Sequence, residues 1–412
     1  MNSRCGDGRA WQADGMPLEI RAPTYDEWPA VCRADARAFG VSYTPEEIEE
    51  RRPMHDVERF RIAIDGGQIV AVAGSYAMQV TLPGGAAVPM GGVTWVSTAA
   101  THRRQGIMRK VVGAIHDDID ARGAPLATLY AAEGGIYEHM AYGIATRVRV
   151  TTIDPRRTRF RDEYRCPPGS VRFVEGDEVV PIVTDIWDGF RRLRAGETER
   201  TLDMQEYIFG YRSKPSGAQS PMVYLCHADG YAAYRMEDQW NDGFPASVLH
   251  LSELAARTPE AHAALWQTLL EIDLVGEIRS RAIPIDDPLP FLLENQRALR
   301  TTNLNDGVWV NARDIPATFG ARTYRTSDRI VVEVDGTCWA IEGGPDGATC
   351  ATTSAAPDLV TTHGWFSSLL YGGVYPSTLV AGRRMTARDA AALARADVFF
   401  TTSLAPHCQD MY

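Results

Sequence analysis

Between Phe60 and Leu82 the chain alternates apolar and polar residues in two runs, FRIAID and QIVAVAGSYAMQVTL, divided by Gly66-Gly67. A period of two turns one strand face to a core, so the pair predicts a β-hairpin with a glycine turn. A third alternating run, GVTWVST, stops at Thr98. From Ile107 the period changes: Ile107, Met108, Val111, Val112, Ile115 and Ile119 fall on one helical stripe, opposite Arg109, Lys110, Asp117, Asp118 and Asp120. A strand therefore gives way, through the loop THRRQG, to a helix from about Gly106 to Arg122. Upstream, LEIRAP reads as a strand, Thr24 can cap a helical stretch, and a second short helix runs from Pro45 to Arg52. Downstream, PLATLYAAE reads as a buried strand, GIYEHMAYG as a short helix and IATRVRVTTI as another strand. These elements make a mixed α/β domain over residues 1–165.

Two more blocks follow. RCPPGS is a linker into residues 166–300, where the strands MVYLCHADGYAAYRME and SVLHLSEL precede the helix TPEAHAALWQTLLEI, with Thr258 as its cap and Pro259 at its first position. Strand, strand, helix repeats the order of the first block, yet no arginine-glycine loop precedes this helix. The pattern suits a repeat that kept the shape and lost the loop. Residues 301–412 carry DGVWVNARD, RIVVEVDGTCWAIEG and the helices GWFSSLLYGG and ARDAAALARADVFF, an α+β module with no catalytic cluster. The fold class is thus α/β and α+β in three domains.

Composition narrows the function. A formal charge of −11 argues against nucleic acid as a partner and suits cationic ones, though ordinary solubility also accounts for it. Of 42 basic residues only Lys110 and Lys214 are lysine, and no function follows from that bias. The start MNSRCGDGRAWQADG lacks the apolar core of a secretory signal, and no window approaches the ~20 apolar residues of a membrane span, so the expectation is a cytoplasmic protein with no membrane partner. Seven cysteines without a CxxC pair suit free thiols; Cys226-His227 has no second pair and the nine histidines are scattered, so no metal site is expected.

The loop carries the chemistry. The first N–H groups of the helix after it lack intrahelical acceptors and the helix dipole favours an anion there; Gly106 lets a phosphate approach, and Arg103 and Arg104 add charge. Taken alone, the residues fit a plain turn as well as a phosphate cradle. The run Arg103-Arg104-Gln105-Gly106-Ile107-Met108 resembles the R/Q-x-x-G-x-G/A pyrophosphate loop of GNAT acetyltransferases, with Met108 replacing the last small residue. The longer string VSTAATHRRQGIMRKVV…LYAAEGGIYEHMAYG, Val96 to Gly143, is similar to the Eis (enhanced intracellular survival) family of N-acetyltransferases. That resemblance implies an active GNAT domain, a degenerate second GNAT domain and a sterol-carrier-protein-like third domain, and the three blocks fit the plan.

It also implies site residues. Val96, Ser97 and Thr98 would pair by their backbone with the pantetheine arm of acetyl-CoA, one N–H, that of Val96, polarising the thioester carbonyl. Arg104, Gln105, Gly106, Ile107, Met108 and Arg109 would surround the pyrophosphate, and Ala132 and Glu133 would touch the cofactor from the next strand. Tyr137 occupies the family's general-acid place; from the residues alone Tyr142 competes with it, and either tyrosine also suits a core. Tyr412, last in APHCQDMY, would supply its terminal carboxylate as general base, with His139 and His407 as the alternatives. Acetyl-CoA-dependent N-acetylation of cationic amines, aminoglycosides or lysine side chains, is implied, in a ternary complex and a homohexamer (a trimer of dimers). Asp26, Glu27, Asp35, Glu46, Glu47 and Asp410 are candidate acids for such amines, although most suit a solvated helix face. A second reading takes the chain as an acyl-CoA-sensing or lipid-binding protein without acetyl transfer.

Overall fold

The computed structural model of the protein describes residues 18–412; residues 1–17, with Cys5 and the opening stretch considered for a leader, lie outside the described residues. The chain divides into two units, one running to Tyr76 and including Val93–Ala121, the other of Ala77–Gly92 and Arg122–Tyr412. Two strands, β3 (Gln68–Thr81) and β4 (Ala87–Thr98), run through both.

In the first unit β1 (Glu19–Arg21) pairs antiparallel with β2 (Phe60–Asp65), and β2 with β3 in the register Ile62↔Val72. The turn between β2 and β3 puts Gly66 and Gly67 at φ 54° and 77°, the left-handed pair that a tight hairpin requires. Helix α1 (Trp28–Phe39) follows a turn that Thr24 opens, its N–H donating to the Glu27 carboxylate at 2.8 Å. Helix α2 (Pro45–Arg51) has a reciprocal cap, Thr44 N–H to Glu47 and Glu47 N–H to Thr44 Oγ1. Trp28, Val31 and Cys32 of α1 bury against Phe60, Ile62 and Val72, and Arg61 reaches Asp118 at 2.7 Å to fix α3 (Ile107–Ala121) to β2.

In the second unit the first part of β4 pairs parallel with β5 (Leu126–Tyr130) at Gly91↔Ala127 and Gly92↔Thr128. The other edge of β5 is covered by Val308–Ala312, antiparallel from Val308↔Tyr130 to Ala312↔Leu126, and that strand also carries β6 (Gly143–Ile144). A seven-stranded sheet forms the middle of the chain, with order 299–306, β7 (Arg147–Ile153), 275–283, 247–256, 230–237, 223–227 and 172–174. The helix Pro259–Leu270 has Thr258 as its cap and leads into Val275–Ile283, which lies parallel to Ser247–Ala256, so the strand–helix–strand order of β4, α3 and β5 recurs. A five-stranded sheet closes the chain, with Asp328–Val334 and Thr337–Gly344 as its central hairpin.

Two strands pair outside the block where their pattern placed them. IATRVRVTTI is split: β6 stays beside Val308–Ala312, whereas β7 joins the middle sheet next to Val275–Ile283. Val308–Ala312, read with the third block, joins β5. The switch happens at Ala145-Thr146, whose N–H groups both reach the Val308 carbonyl while Thr146 Oγ1 accepts from Val308 N–H at 2.8 Å. Alternation fixes which face of a strand is buried, not which strand lies beside it. Helices Val179–Arg191 and Leu202–Ser213 went unread in the second block, and GWFSSLLYGG is helical only over His363–Ser367. GIYEHMAYG is likewise cut short: α4 is Gly134–Glu138, and Ala141 at φ 64° with Tyr142 N–H on the Tyr137 carbonyl closes it as a left-handed cap.

Gly143 shows how closely that cap is packed. A Cβ there would overlap the Gly364 carbonyl and the Ser368 hydroxyl, and one at Gly364 would stand 2.8 Å from the Tyr142 carbonyl. Gly143→Ala should therefore cost about 1–3 kcal/mol, read as a lower urea midpoint at constant slope. Gly113→Ala, inside α3 with nothing within 4 Å of the new Cβ, should instead add up to about 1 kcal/mol.

Candidate active site

The cofactor strand and loop implied by the sequence lie in the first unit. β4 reaches Val96, Ser97 and Thr98 after Trp95 takes φ 53°, a conformation rare for a bulky residue. Trp95 is held there by aromatic neighbours: it stacks on Trp28 at 5.4 Å and meets the His55 and Phe60 rings edge-on at 4.9 and 5.6 Å. Beyond Thr98 the Ala99 N–H returns to the Val70 carbonyl, a tight turn covers Ala100–His102, and His102 Nε2 lies 3.1 Å from Asp65. The loop then takes two left-handed residues, Arg104 (φ 62°) and Gly106 (φ 75°), and the Lys110 N–H on the Gly106 carbonyl begins α3.

Ile107 is buried and anchors the helix start, while Arg104, Gln105, Gly106 and Arg109 are exposed and Met108 is half-buried. Among the described residues no carboxylate pairs with Arg103, Arg104 or Arg109, and nothing lies within 4 Å of where a Gly106 Cβ would be. An open, cationic loop at the N-terminus of a fifteen-residue helix fits a pyrophosphate. Glycine suits position 106 because its φ is 75°.

The candidate acids sort by burial. Asp26, Glu46 and Glu47 are exposed. Glu27 is fixed by Arg21 at 2.7 and 2.8 Å, and that hydrogen bonding holds its carboxyl down at about 2. Asp35 differs: it is 5% exposed, bonds the Ser97 hydroxyl on the cofactor strand, and its Oδ1 has no protein partner. Burial pushes its carboxyl up to about 6, against the opposing pull of Ser97 and Arg51. Burial also drives the nearby His55 down to about 4, with Nδ1 on the Arg51 carbonyl and Nε2 on the Tyr76 hydroxyl.

The implied proton-transfer residues lie in the second unit. Ala132 and Glu133 are exposed just past β5, and Tyr137 follows on α4. Tyr137 is 6% exposed and meets the more deeply buried Tyr142 edge-on at 5.9 Å; burial raises both phenols above their ordinary value. Tyr412 puts its hydroxyl on Thr128 Oγ1 of β5 at 2.7 Å and its ring edge-on to Tyr130 at 5.7 Å. A Cβ on Gly92 of β4 would stand 3.1 Å from that ring, so glycine there makes room for it.

The residues before Tyr412 are fixed rather than frayed. His407 Nδ1 lies 2.7 Å from the Glu197 carboxylate, the Cys408 carbonyl accepts from Tyr130, and Asp410 accepts from Arg200 and Thr198. His407 is thus an internal tether, while His139 is exposed. Glu197 and Arg200 escaped the sequence reading: GETER has no period of its own, and its partners are 210 residues away.

The chain matches the acetyltransferase (GNAT) domain family over residues 19–145, a second acetyltransferase (GNAT) domain family over 196–313, and the sterol carrier protein domain family over 315–409. It is 32% identical over 402 residues to the N-acetyltransferase Eis of Mycobacterium tuberculosis, covering 94% of this chain and 98% of that one. The chain belongs to the Eis family of N-acetyltransferases. The crystal structure of Eis1 from Mycobacterium abscessus agrees at a TM-score of 0.86 with 26% identity, covering 96% of this chain and all of that one. A GCN5-related N-acetyltransferase from Anabaena variabilis shares the fold at a TM-score of 0.82 with 16% identity, covering 96% of this chain and 100% of the other. This Eis-family protein is therefore an acetyltransferase of two GNAT domains and a sterol-carrier-like domain, and the GNAT fold implies acetyl-CoA as co-substrate. Among the described residues no helix is long and apolar enough to cross a membrane, and no cluster of three metal-binding side chains occurs.

Asp35 supplies a test of the first unit's electrostatics. Its folded pKa of about 6 lies above the ordinary carboxyl value, so its favourable contribution is complete below about pH 4 and is lost as pH rises through 6. Asp35→Asn keeps a partner for Ser97 and removes the buried charge. The variant should match the parent in unfolding free energy near pH 4 and exceed it above pH 7, by roughly 3 kcal/mol at most, read from urea melts. A difference independent of pH would show that charge burial is not the cause.

Proposed function

We propose that this Eis-family enzyme transfers the acetyl group of acetyl-CoA directly to an amine of a cationic, polyamine-like molecule, an aminoglycoside or a lysine side chain, within a ternary complex. The observation that carries the reading is the open Arg104–Arg109 loop at the start of α3, entered from a β4 strand that Trp95 turns out of regular geometry. In this reading Arg104, Gln105, Gly106, Ile107, Met108 and Arg109 hold the pyrophosphate by backbone N–H groups and charge. Val96, Ser97 and Thr98 pair with the pantetheine arm by their backbone, Ala132 and Glu133 flank it, and the Val96 N–H stabilises the oxyanion.

The amine nitrogen attacks the thioester carbonyl, a C–N bond forms and the C–S bond breaks. The proton leaving the attacking nitrogen goes to the Tyr412 carboxylate, and the departing thiolate takes the Tyr137 phenol proton; exchange with solvent resets both groups. The Tyr137 phenol is protonated at neutral pH, as a proton donor must be, and burial raises it further, so its transfer waits until negative charge grows on sulfur. The acidic net charge of −11 favours cationic acceptors over anionic ones. The family resemblance extends the proposal to a homohexamer, which sedimentation tests, and to a cytoplasmic location.

Thiol release from acetyl-CoA, with kanamycin, tobramycin, spermidine and a lysine peptide as acceptors and product mass as the second readout, tests the whole reading. Tyr137→Phe should lower kcat about 10²-fold or more with little change in the acetyl-CoA KM. Removal of Tyr412 should do the same, and full activity without it would overturn the base assignment. Gly106→Val should act on the other parameter, raising the acetyl-CoA KM because a branched side chain is strained at φ 75°.

A further inference from the structure

The second GNAT repeat has an irregular inner strand ahead of its helix. Along Ser247–Ala256 the antiparallel register against Gly230–Glu237 slips by one, from Tyr234↔Leu251 to Ala233↔Glu253, which leaves Ser252 as a bulge. On the other side the parallel pairing runs from Ser247↔Val275 to Leu251↔Ser280, and the two strands continue past it to Ala256 and Ile283. Leu254 stands third from the end of its strand, as Val96 does in β4. No arginine-glycine loop follows it: Thr258 caps the next helix almost at once.

The last residues of the chain sit at this place. Gln409 uses its carboxamide on both peptide groups of Leu254: Leu254 N–H donates to Gln409 Oε1 at 3.3 Å, and Gln409 Nε2 donates to the Leu254 carbonyl at 2.9 Å. Asp410 accepts from Arg200 Nε at 2.8 Å and from Thr198 Oγ1 at 2.5 Å. Arg200 also reaches Glu253, the residue just before Leu254, at 2.6 Å, and lies 3.5 Å over the Trp187 ring. Glu197 completes the hold, accepting from the Gln409 N–H at 3.2 Å with its other oxygen on His407. An amide paired to a strand's peptide groups is the interaction proposed above for the pantetheine arm on Val96 to Thr98.

We propose that the second GNAT repeat has become the seat of the chain's own tail: Gln409 takes the place of a pantetheine amide on Leu254, and Arg200 and Glu197, through Asp410 and His407, are positioning residues that hold Tyr412 against Thr128 and Gly92. The inference rests on the role given above to Tyr412. The bulge and the parted strand pair then have a use, since that geometry presents the Leu254 peptide to the tail.

The test uses the full-length protein carrying Gln409→Ala with Asp410→Asn. Carboxypeptidase release of Tyr412, followed by intact mass, should speed up at least ten-fold, and kcat should fall at least ten-fold while the acetyl-CoA KM stays within two-fold. If the pair does not fold, Gln409→Ala alone, whose carboxamide hydrogen-bonds the Leu254 peptide, carries the same comparison. Unchanged release of Tyr412 would overturn the seat. Faster release with parental kcat would overturn the positioning role. The protein lacking Tyr412 separates this from the base assignment: if it is fully active the base assignment fails, and the carboxypeptidase arm still decides whether the second repeat holds the tail.

Discussion

The guanidinium of Arg200 is buried in the middle of the second unit, and the arrangement around it follows from that fact. A buried cation has lost its water and is tolerated only when carboxylates and hydrogen bonds replace it. Glu253, on the strand Ser247–Ala256, supplies one carboxylate at 2.6 Å, and the Trp187 face supplies a further contact. The second carboxylate is Asp410, two residues from the chain end, also at 2.6 Å. With Asp410 removed, Arg200 would keep one carboxylate, Glu253, and lose the partner of its Nε and Nη2, so the tail supplies half of the negative charge around it. Glu197 repeats the logic at smaller scale, since its buried carboxylate is answered by His407 and by the Gln409 N–H.

How much of this could be read from the chain depends on how local each signal is. The β2–β3 hairpin, the α3 stripe and the Thr258–Pro259 helix start are encoded within a dozen residues, and they stand in the structure nearly where the pattern put them. The loop before α3 was legible as a shape, and its left-handed Arg104 was not, because only Gly106 announces such a conformation in sequence. Asp35 was legible in principle: Trp28, Val31, Cys32 and Asp35 share one helical stripe, and all four are buried. Grouping it with exposed acids overlooked that spacing. The exchange of β7 and Val308–Ala312 between sheets, and the partners of Glu197 and Arg200, had no local signal at all. They arise from strand pairing and charge pairing across most of the chain's length, which no periodicity records.

The two GNAT repeats solve one backbone problem in different ways. Each carries an irregularity near the end of its inner strand. In β4 that residue is Trp95, fourth from the strand end, kept in a left-handed conformation by stacking on Trp28 and by the edges of His55 and Phe60. In the second repeat Glu253 is fourth from the strand end beside a bulge, and it is held by Arg200 and the Tyr231 hydroxyl. Aromatic contacts fix a position without committing any hydrogen-bonding group, so the peptide groups of Val96 to Thr98 can be offered to a diffusible ligand in the proposed site. Ionic fixation does the reverse: the carboxylate of Glu253 draws in Arg200, Arg200 draws in Asp410, and Gln409 is carried onto Leu254. In the second repeat the Leu254 peptide is thus occupied by Gln409 and no arginine-glycine loop precedes the helix, whereas in the first the loop before α3 stands open.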